Sequence, residues 1–253
     1  MNIASIVGVI VGILAILGGN ALEGGSAGSI IQGSAALIVF GGTLGATILS
    51  FSGKDILLAG KMLRSVFFEN KMIPDETSII SDMVSFASKA RKNGILSLDK
   101  EIARLEYGFF KRAVRLAIDG IDPKTIQSTL DQENKTFEEE RGRAARVFEA
   151  AGGYAPTIGI IGAVLGLIHV MENLSDPSKL GSGIAVAFVA TVYGVASANL
   201  ILLPMAKKMM NNIKDEIFLR EIIVEGVSSI QAGKSPFYLK EHLNSFASGK
   251  HTN

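Results

Sequence analysis

The chain has no cysteine and no tryptophan, and only 19% of its 253 residues are charged. Without cysteine there can be no disulfide, no thiolate catalysis and no cysteine-ligated zinc. A formal net charge of +1 with no basic cluster leaves nucleic acid little to hold. Soluble domains run nearer a quarter charged, and here the missing charge is missing in blocks. Residues 1–22, 24–53, 150–168 and 180–206 contain no Asp, Glu, Lys or Arg. Each block is close to or above the ~20 residues that cross a bilayer as a helix. A signal-peptide pattern is also missing: no basic stretch precedes the first apolar run, which leads through Glu23-Gly24-Gly25-Ser26 into a second run.

These blocks predict an all-α, polytopic membrane protein with four transmembrane helices and a helical cytoplasmic domain. The spans are expected near Ile3–Leu17, Ser29–Phe51, Tyr154–Val170 and Gly183–Met205. They define a first transmembrane hairpin (1–53), a cytoplasmic helical domain (54–150), a second hairpin (151–206) and a cytoplasmic helical tail (207–253). Residues 1–53 hold no Lys or Arg, residues 54–150 hold seventeen and residues 207–253 hold seven, leaving only Lys179 in the short loops. By the positive-inside rule both termini and the insert face the cytoplasm.

The hydrophilic parts read as helices. Pro74-Asp75-Glu76 opens one whose apolar positions Ile79, Ile80, Met83, Val84 and Phe86 recur at helical spacing, and Lys92-Asn93-Gly94 closes it. Lys54–Phe68 is expected to continue the second span outward. Ser97 is expected to cap a helix reaching Ile118, with Ile102, Leu105, Phe109, Val114 and Leu116 mostly inward. Asp122-Pro123 supplies a cap and a first-turn proline for a long helix running into the third span. Beyond Lys207, Ile213, Ile217, Ile222, Val224 and Ile230 form an amphipathic face. Ser235-Pro236 starts a last helix, with Ala247–Asn253 fraying.

Within the spans, twenty of the 28 glycines fall in residues 1–53 and 150–206. Gly8/Gly12, Gly41/Gly45 and Gly162/Gly166 are small-xxx-small pairs that let helices approach closely. No ionisable residue stands mid-span, although a proton relay needs one; the chain conducts nothing, or another subunit supplies the titrating group. Thr157, Thr191, Tyr193, Ser197 and Asn199 are the neutral polar residues of the last two spans. Thr191 and Ser197 either bond the preceding turn or serve a pathway. Pro156 and Pro204 each free a carbonyl and mark a hinge or a static kink. Gly233-Lys234-Ser235 lacks the earlier glycine and the strand of a phosphate loop, and His169, His242 and His251 are too scattered in sequence to suggest a metal site. Neither enzymatic chemistry nor a cofactor is expected.

The stretch from Gly153 through Pro156, Gly159, Gly162, Ala163 and Gly166 to His169, followed by Ala190-Thr191-Val192-Tyr193-Gly194 and Asn199–Pro204, resembles the MotA/PomA family, the ring subunits of the bacterial flagellar stator. The likeness covers essentially the whole chain. It implies five copies around two copies of a MotB-like single-span partner whose aspartate carries the ion, in the bacterial inner membrane, and a push on the rotor protein FliG. It further implies that Pro156 and Pro204 are the coupling prolines and that Thr191 faces the partner's aspartate. Sodium-type relatives carry a second threonine where this chain has Ala163. Sodium needs several oxygens to replace its water shell whereas a proton needs one acceptor, so Ala163 with Thr191 points to the proton type. Arg91 and, eight residues on, Asp99 match the family's rotor-binding pair, with Asp in place of the family's Glu; the helix dipole alone would also favour both positions. Membrane lipid is the remaining expected partner. The alternative is an energiser like ExbB or TolQ, but those proteins have three spans, and the hairpin Ile3–Phe51 argues against them.

Overall fold

A computed structural model describes residues 3–68 and 72–250, without the side chains of Ala27, Ser178, Lys179, Gly249 and Lys250. Its elements are helical. They are α1 (Ile3–Leu22), α2 (Gly33–Ser50), α3 (Gly53–Phe67), α4 (Glu76–Asn93), the single turn α5 (Asp99–Ile102), α6 (Gly108–Ile118), α7 (Pro123–Glu172), α8 (Pro177–Ser197), α9 (Leu203–Gln231) and α10 (Pro236–Lys250). Four helices, α1, α2, α7 and the continuous α8–α9, are long and apolar enough to cross a membrane. Single π-helical turns occur at Leu37–Gly41 inside α2 and at Ala198–Leu202 between α8 and α9.

Several boundaries follow the chemistry read from the sequence. Asp75 accepts from the Ser78 amide at 2.9 Å and Asp122 from the Thr125 amide at 3.0 Å, so both cap helices as expected. The Ser235 hydroxyl accepts from the Tyr238 amide at 3.2 Å at the start of α10. α4 stops at Gly94, whose φ of 79° suits only glycine without strain. α6 ends in a Schellman turn: Gly120 (φ 76°) donates to Ala117 O and Ile121 to Leu116 O.

Other boundaries depart from expectation. α1 runs past Gly18 and Gly19 to Leu22, because glycine in an apolar helix end has no competing water to favour unwinding. The second span does not continue into Lys54–Phe68. Phe51 turns extended (φ −130°, ψ 154°), and Ser52 caps a separate α3 by accepting from the Asp55 amide. Ser97 caps nothing; its hydroxyl donates to Gly94 O at 2.7 Å within a 3-10 turn, and the expected helix splits into α5 and α6. Ala247 does not fray but is buried in α10, while residues 251–253 lie outside the described ones, as does the side chain of Lys179.

Two compact units result, one from residues 1–69 and 140–211, the other from residues 70–139 and 212–253. α7 and α9 each give residues to both. The second unit has an aliphatic and aromatic core in which Ile79, Met83, Phe110, Ile126, Leu130, Ile222 and Leu239 are all essentially inaccessible. Of the expected inward residues there, Val84, Leu105 and Leu116 are only partly buried. The first unit holds the apolar helices, and no residue of α1 is buried.

Candidate functional site

In the first unit α7 and α8 run antiparallel with their backbones nearly touching. A methyl group placed on Gly159 would lie 2.9 Å from Ala190 O, on Gly166 2.7 Å from both Ala187 N and Gly183 O, and on Gly194 2.5 Å from Ala155 O. Only glycine fits such a seam, so the shared face Gly159/Gly162/Gly166 is a packing face. Gly8 and Gly45 have open space around them, and Gly12 meets only the Leu200 side chain at 3.3 Å, so the other two glycine pairs make no such seam here.

The expected pathway residues border this seam. A methyl group on Gly159 would lie 3.5 Å from Thr191 Cα, and Ala163 stands one turn beyond Gly159 along α7. Thr191 is exposed in the single chain, and its hydroxyl donates to Ala187 O at 3.2 Å. That bond occupies the proton and leaves the oxygen's lone pairs available to an outside donor or ion. Ala163 is half-buried and adds no polar atom. Pro156 lies inside the unbroken α7, so the Gly152 carbonyl has no amide partner four residues on. A methyl group on Gly152 would lie 2.6 Å from the Leu203 side chain, next to Pro204, and Gly194 abuts Pro156 Cα. The structure therefore brings the surroundings of both prolines to one part of the hairpin. Pro204, exposed, lies two residues past the end of the π-turn and has no amide hydrogen to give a carbonyl of that turn.

Three sets of contacts in this unit had no separate signal in the sequence. The Tyr193 hydroxyl donates to Ile30 O at 2.6 Å and accepts from the Gln32 amide at 3.2 Å, while its ring stacks on Phe40 with centroids 5.6 Å apart. It fastens the start of α2 to α8. At the other end, Ser50 Oγ and Tyr154 OH are 2.9 Å apart, and Arg143 meets Asp55 at 3.4 Å. The Ser52 hydroxyl, helped by Arg143, holds the Asp55 carboxyl below the usual carboxylate range.

In the second unit Arg91 occupies the last turn of α4 and Asp99 the first turn of α5, both exposed. They do not pair with each other. Asp99 meets Arg115 at 2.8 Å, and Arg91 lines a cavity of about 460 Å³ with Asp122 and Lys234. Beside them Glu101 binds Lys89 at 2.8 Å and Arg104 at 3.6 Å, and the Lys89 contact holds its carboxyl below the usual range. Sequence reasoning also missed Arg220. Its guanidinium is buried, lies 3.6 Å from the Phe137 ring centre and 4.7 Å from that of Phe109, and donates to Tyr107 OH at 3.1 Å and Glu216 at 3.2 Å. A lone Arg among Ile217, Phe218, Leu219 and Ile222, four residues after Glu216, was the available signal. No group of three or more His, Asp or Glu side chains suited to a metal occurs among the described residues.

With this geometry in view, comparison with known proteins is specific. Residues 101–222 match the MotA/TolQ/ExbB proton channel family, and residues 6–94 match the motility protein A N-terminal family. Motility protein A of Borreliella burgdorferi is 35% identical, the match covering 99% of this chain and 95% of that protein. The chain belongs to the MotA/PomA family. Motility protein A of Bacillus subtilis is 32% identical over 96% of this chain and 90% of its own length. The solved structure of C. jejuni MotAB superposes with a TM-score of 0.92 at 30% identity, covering 97% of this chain and 96% of that one. For a MotA/PomA chain the α7–α8 seam falls within the region shared with the TolQ and ExbB proteins, and most of α1 with all of α2 and α3 falls within the region matched by the N-terminal motility family.

Proposed function

We propose that this chain is the ring subunit of a flagellar stator in the bacterial inner membrane, coupling proton flow to torque. In this reading residues 1–53 and 151–206 are transmembrane hairpins, residues 54–150 and 207–253 are cytoplasmic, and both termini face the cytoplasm. Five copies surround two copies of a MotB-like single-span subunit, which supplies the titrating carboxylate. Thr191 and Ala163 line the ion's path, Pro156 and Pro204 are the coupling hinge, and Arg91 and Asp99 meet the rotor protein FliG.

The observation that carries the reading is the near full-length likeness to solved MotAB assemblies. It is supported by a gap in the chain itself: the middle of every span lacks an ionisable group, as expected where the acid belongs to a partner. Moving one charge through 100 mV yields about 2.3 kcal/mol. That suffices to bias one small rotation step of the ring around its partner, not to refold a helix. The exposed placement of Arg91 and Asp99 suits a contact that must form and release quickly, since long-range attraction steers encounter without burial.

The test is deletion of this chain alone, with swimming and filament number scored together. Flagellated but paralysed cells, rescued by the gene, are expected. Normal swimming, in a strain with no second stator, would remove the torque role.

A further inference from the structure

One groove of the first unit shares only Pro204 with these roles. It lies between α1, the end of α3 and the π-turn ahead of α9, has a volume of about 310 Å³, and is floored by Gly8 and walled by Phe67, Leu200, Pro204 and Lys208. Gly8 has no other atom within 4 Å of where a methyl group would stand, so the floor is open. No acidic side chain lines the groove, and Lys208 makes no ion pair among the described residues. Around it the surface is apolar: Ile3, Val7 and Val11 on α1 are 49–68% exposed, and Ile201 and Leu203 stand above a third exposed.

We propose that this groove binds one acidic phospholipid, its phosphate on Lys208 and an acyl chain along Gly8, Leu200 and Phe67. This rests on the orientation proposed above, which sets Lys208 at the cytoplasmic interface. The lining matches an apolar chain together with an anion at the level of a span end, and an acidic phospholipid presents both in one molecule. A lysine at such a site pairs with anionic headgroups while its stem lies on apolar surface. A second copy laying its own α1 against this one would bring no anion to Lys208, because α1 is uncharged along its whole length. Since Pro204 is part of the wall, the bound lipid rests against the residue proposed as a hinge.

The test is native mass spectrometry of the assembled full-length complex, released from nanodiscs of equimolar phosphatidylglycerol and phosphatidylcholine. Wild type is expected to retain phosphatidylglycerol selectively, about one per subunit. K208Q is expected to lose it about tenfold, the size of one charge-assisted hydrogen bond; K208R is expected to keep it, and K207Q, which alters a neighbouring lysine outside the groove, is expected to match wild type. G8L, which puts a side chain into open space, is expected to lose it with the ring mass unchanged. Equal retention of the two lipids, full retention in K208Q, an equal loss in K207Q, or disulfide formation between copies in G8C would each overturn the proposal. Retention is read by mass and not by swimming, so failure of the lipid site and failure of the stator reading are separate results.

Discussion

The α7–α8 hairpin and the core of the second unit solve the same packing problem in opposite ways. The hairpin buries small residues: Gly159, Gly166, Gly183, Ala187, Ala190 and Gly194 put backbone against backbone. The second unit buries large ones, with Phe110, Ile79, Met83 and Leu239 filling its centre. The difference follows from the surroundings. In water, apolar area removed from solvent drives folding at roughly 25 cal/mol per Å², so large side chains are favoured inside. In lipid that drive vanishes, and close approach with its van der Waals contacts is what remains. Charge is handled by the same contrast. The described first unit keeps its ion pair Asp55–Arg143 outside the apolar spans, whereas the second unit buries Arg220 between two phenylalanines and satisfies it with Tyr107 and Glu216.

The comparison can be broken most severely at the seam. Gly194→Val would place carbon atoms against Ala155 O, at a position where even a methyl group comes within 2.5 Å. Loss of the purified complex and of all swimming is expected. Thr191→Val keeps the size of the side chain and removes the hydroxyl, so the complex is expected to assemble while proton flux, measured in vesicles, falls to background; unaltered flux would exclude Thr191 from the path. In the second unit Phe110→Ala is expected to cost about 3–5 kcal/mol, read by thermal melting. Val11→Ala on the exposed face of α1 should change melting by less than about 0.5 kcal/mol. An equal effect of the two would refute this contrast.

A smaller effect sharpens the contrast in electrostatics. Burial, together with the nearby Glu216 charge, pushes the Tyr107 phenol up from 10.0 to about 12. A raised folded value means the neutral phenol is favoured in the fold, so this contribution is complete below pH 10 and is lost as pH climbs toward 12. Tyr107→Phe should abolish that alkaline decline and cost about 1–3 kcal/mol at neutral pH by stranding a buried Arg220 donor. The smallest expected change is Asp99→Asn. Its pair with Arg115 is half exposed on both sides, worth under about 1 kcal/mol, so melting should barely move. Combined with Arg91→Ala, torque measured on tethered cells is expected to fall with assembly intact; undiminished torque would end the proposed rotor role of the pair.

Much of this could be read in advance because it depends on local chemistry. The caps Asp75, Asp122 and Ser235 announce themselves by residue type before a helical pattern, and the glycine face of α7 follows from spacing alone. What could not be read turns on which of several acceptors a side chain takes, near or far. The break at Phe51-Ser52 hides inside a continuous apolar-to-polar transition, and Ser97 does not cap a helix because its hydroxyl has a nearer acceptor in Gly94 O. Tyr193 joins Ile30 and Gln32 across more than 160 residues, a pairing that no periodicity encodes.

The sequence by itself determined where helices lie, which are apolar enough for a bilayer, and which faces carry glycine, because these depend on composition within a few turns. The tertiary structure alone decided which glycine face closes into a seam. It also decided that Asp99 pairs with Arg115 and not with Arg91, that Arg220 can be buried, and that Lys208 stands over an open groove. Each of those depends on which backbone arrives opposite a side chain, and that is settled only when distant parts of the chain compete for the same space.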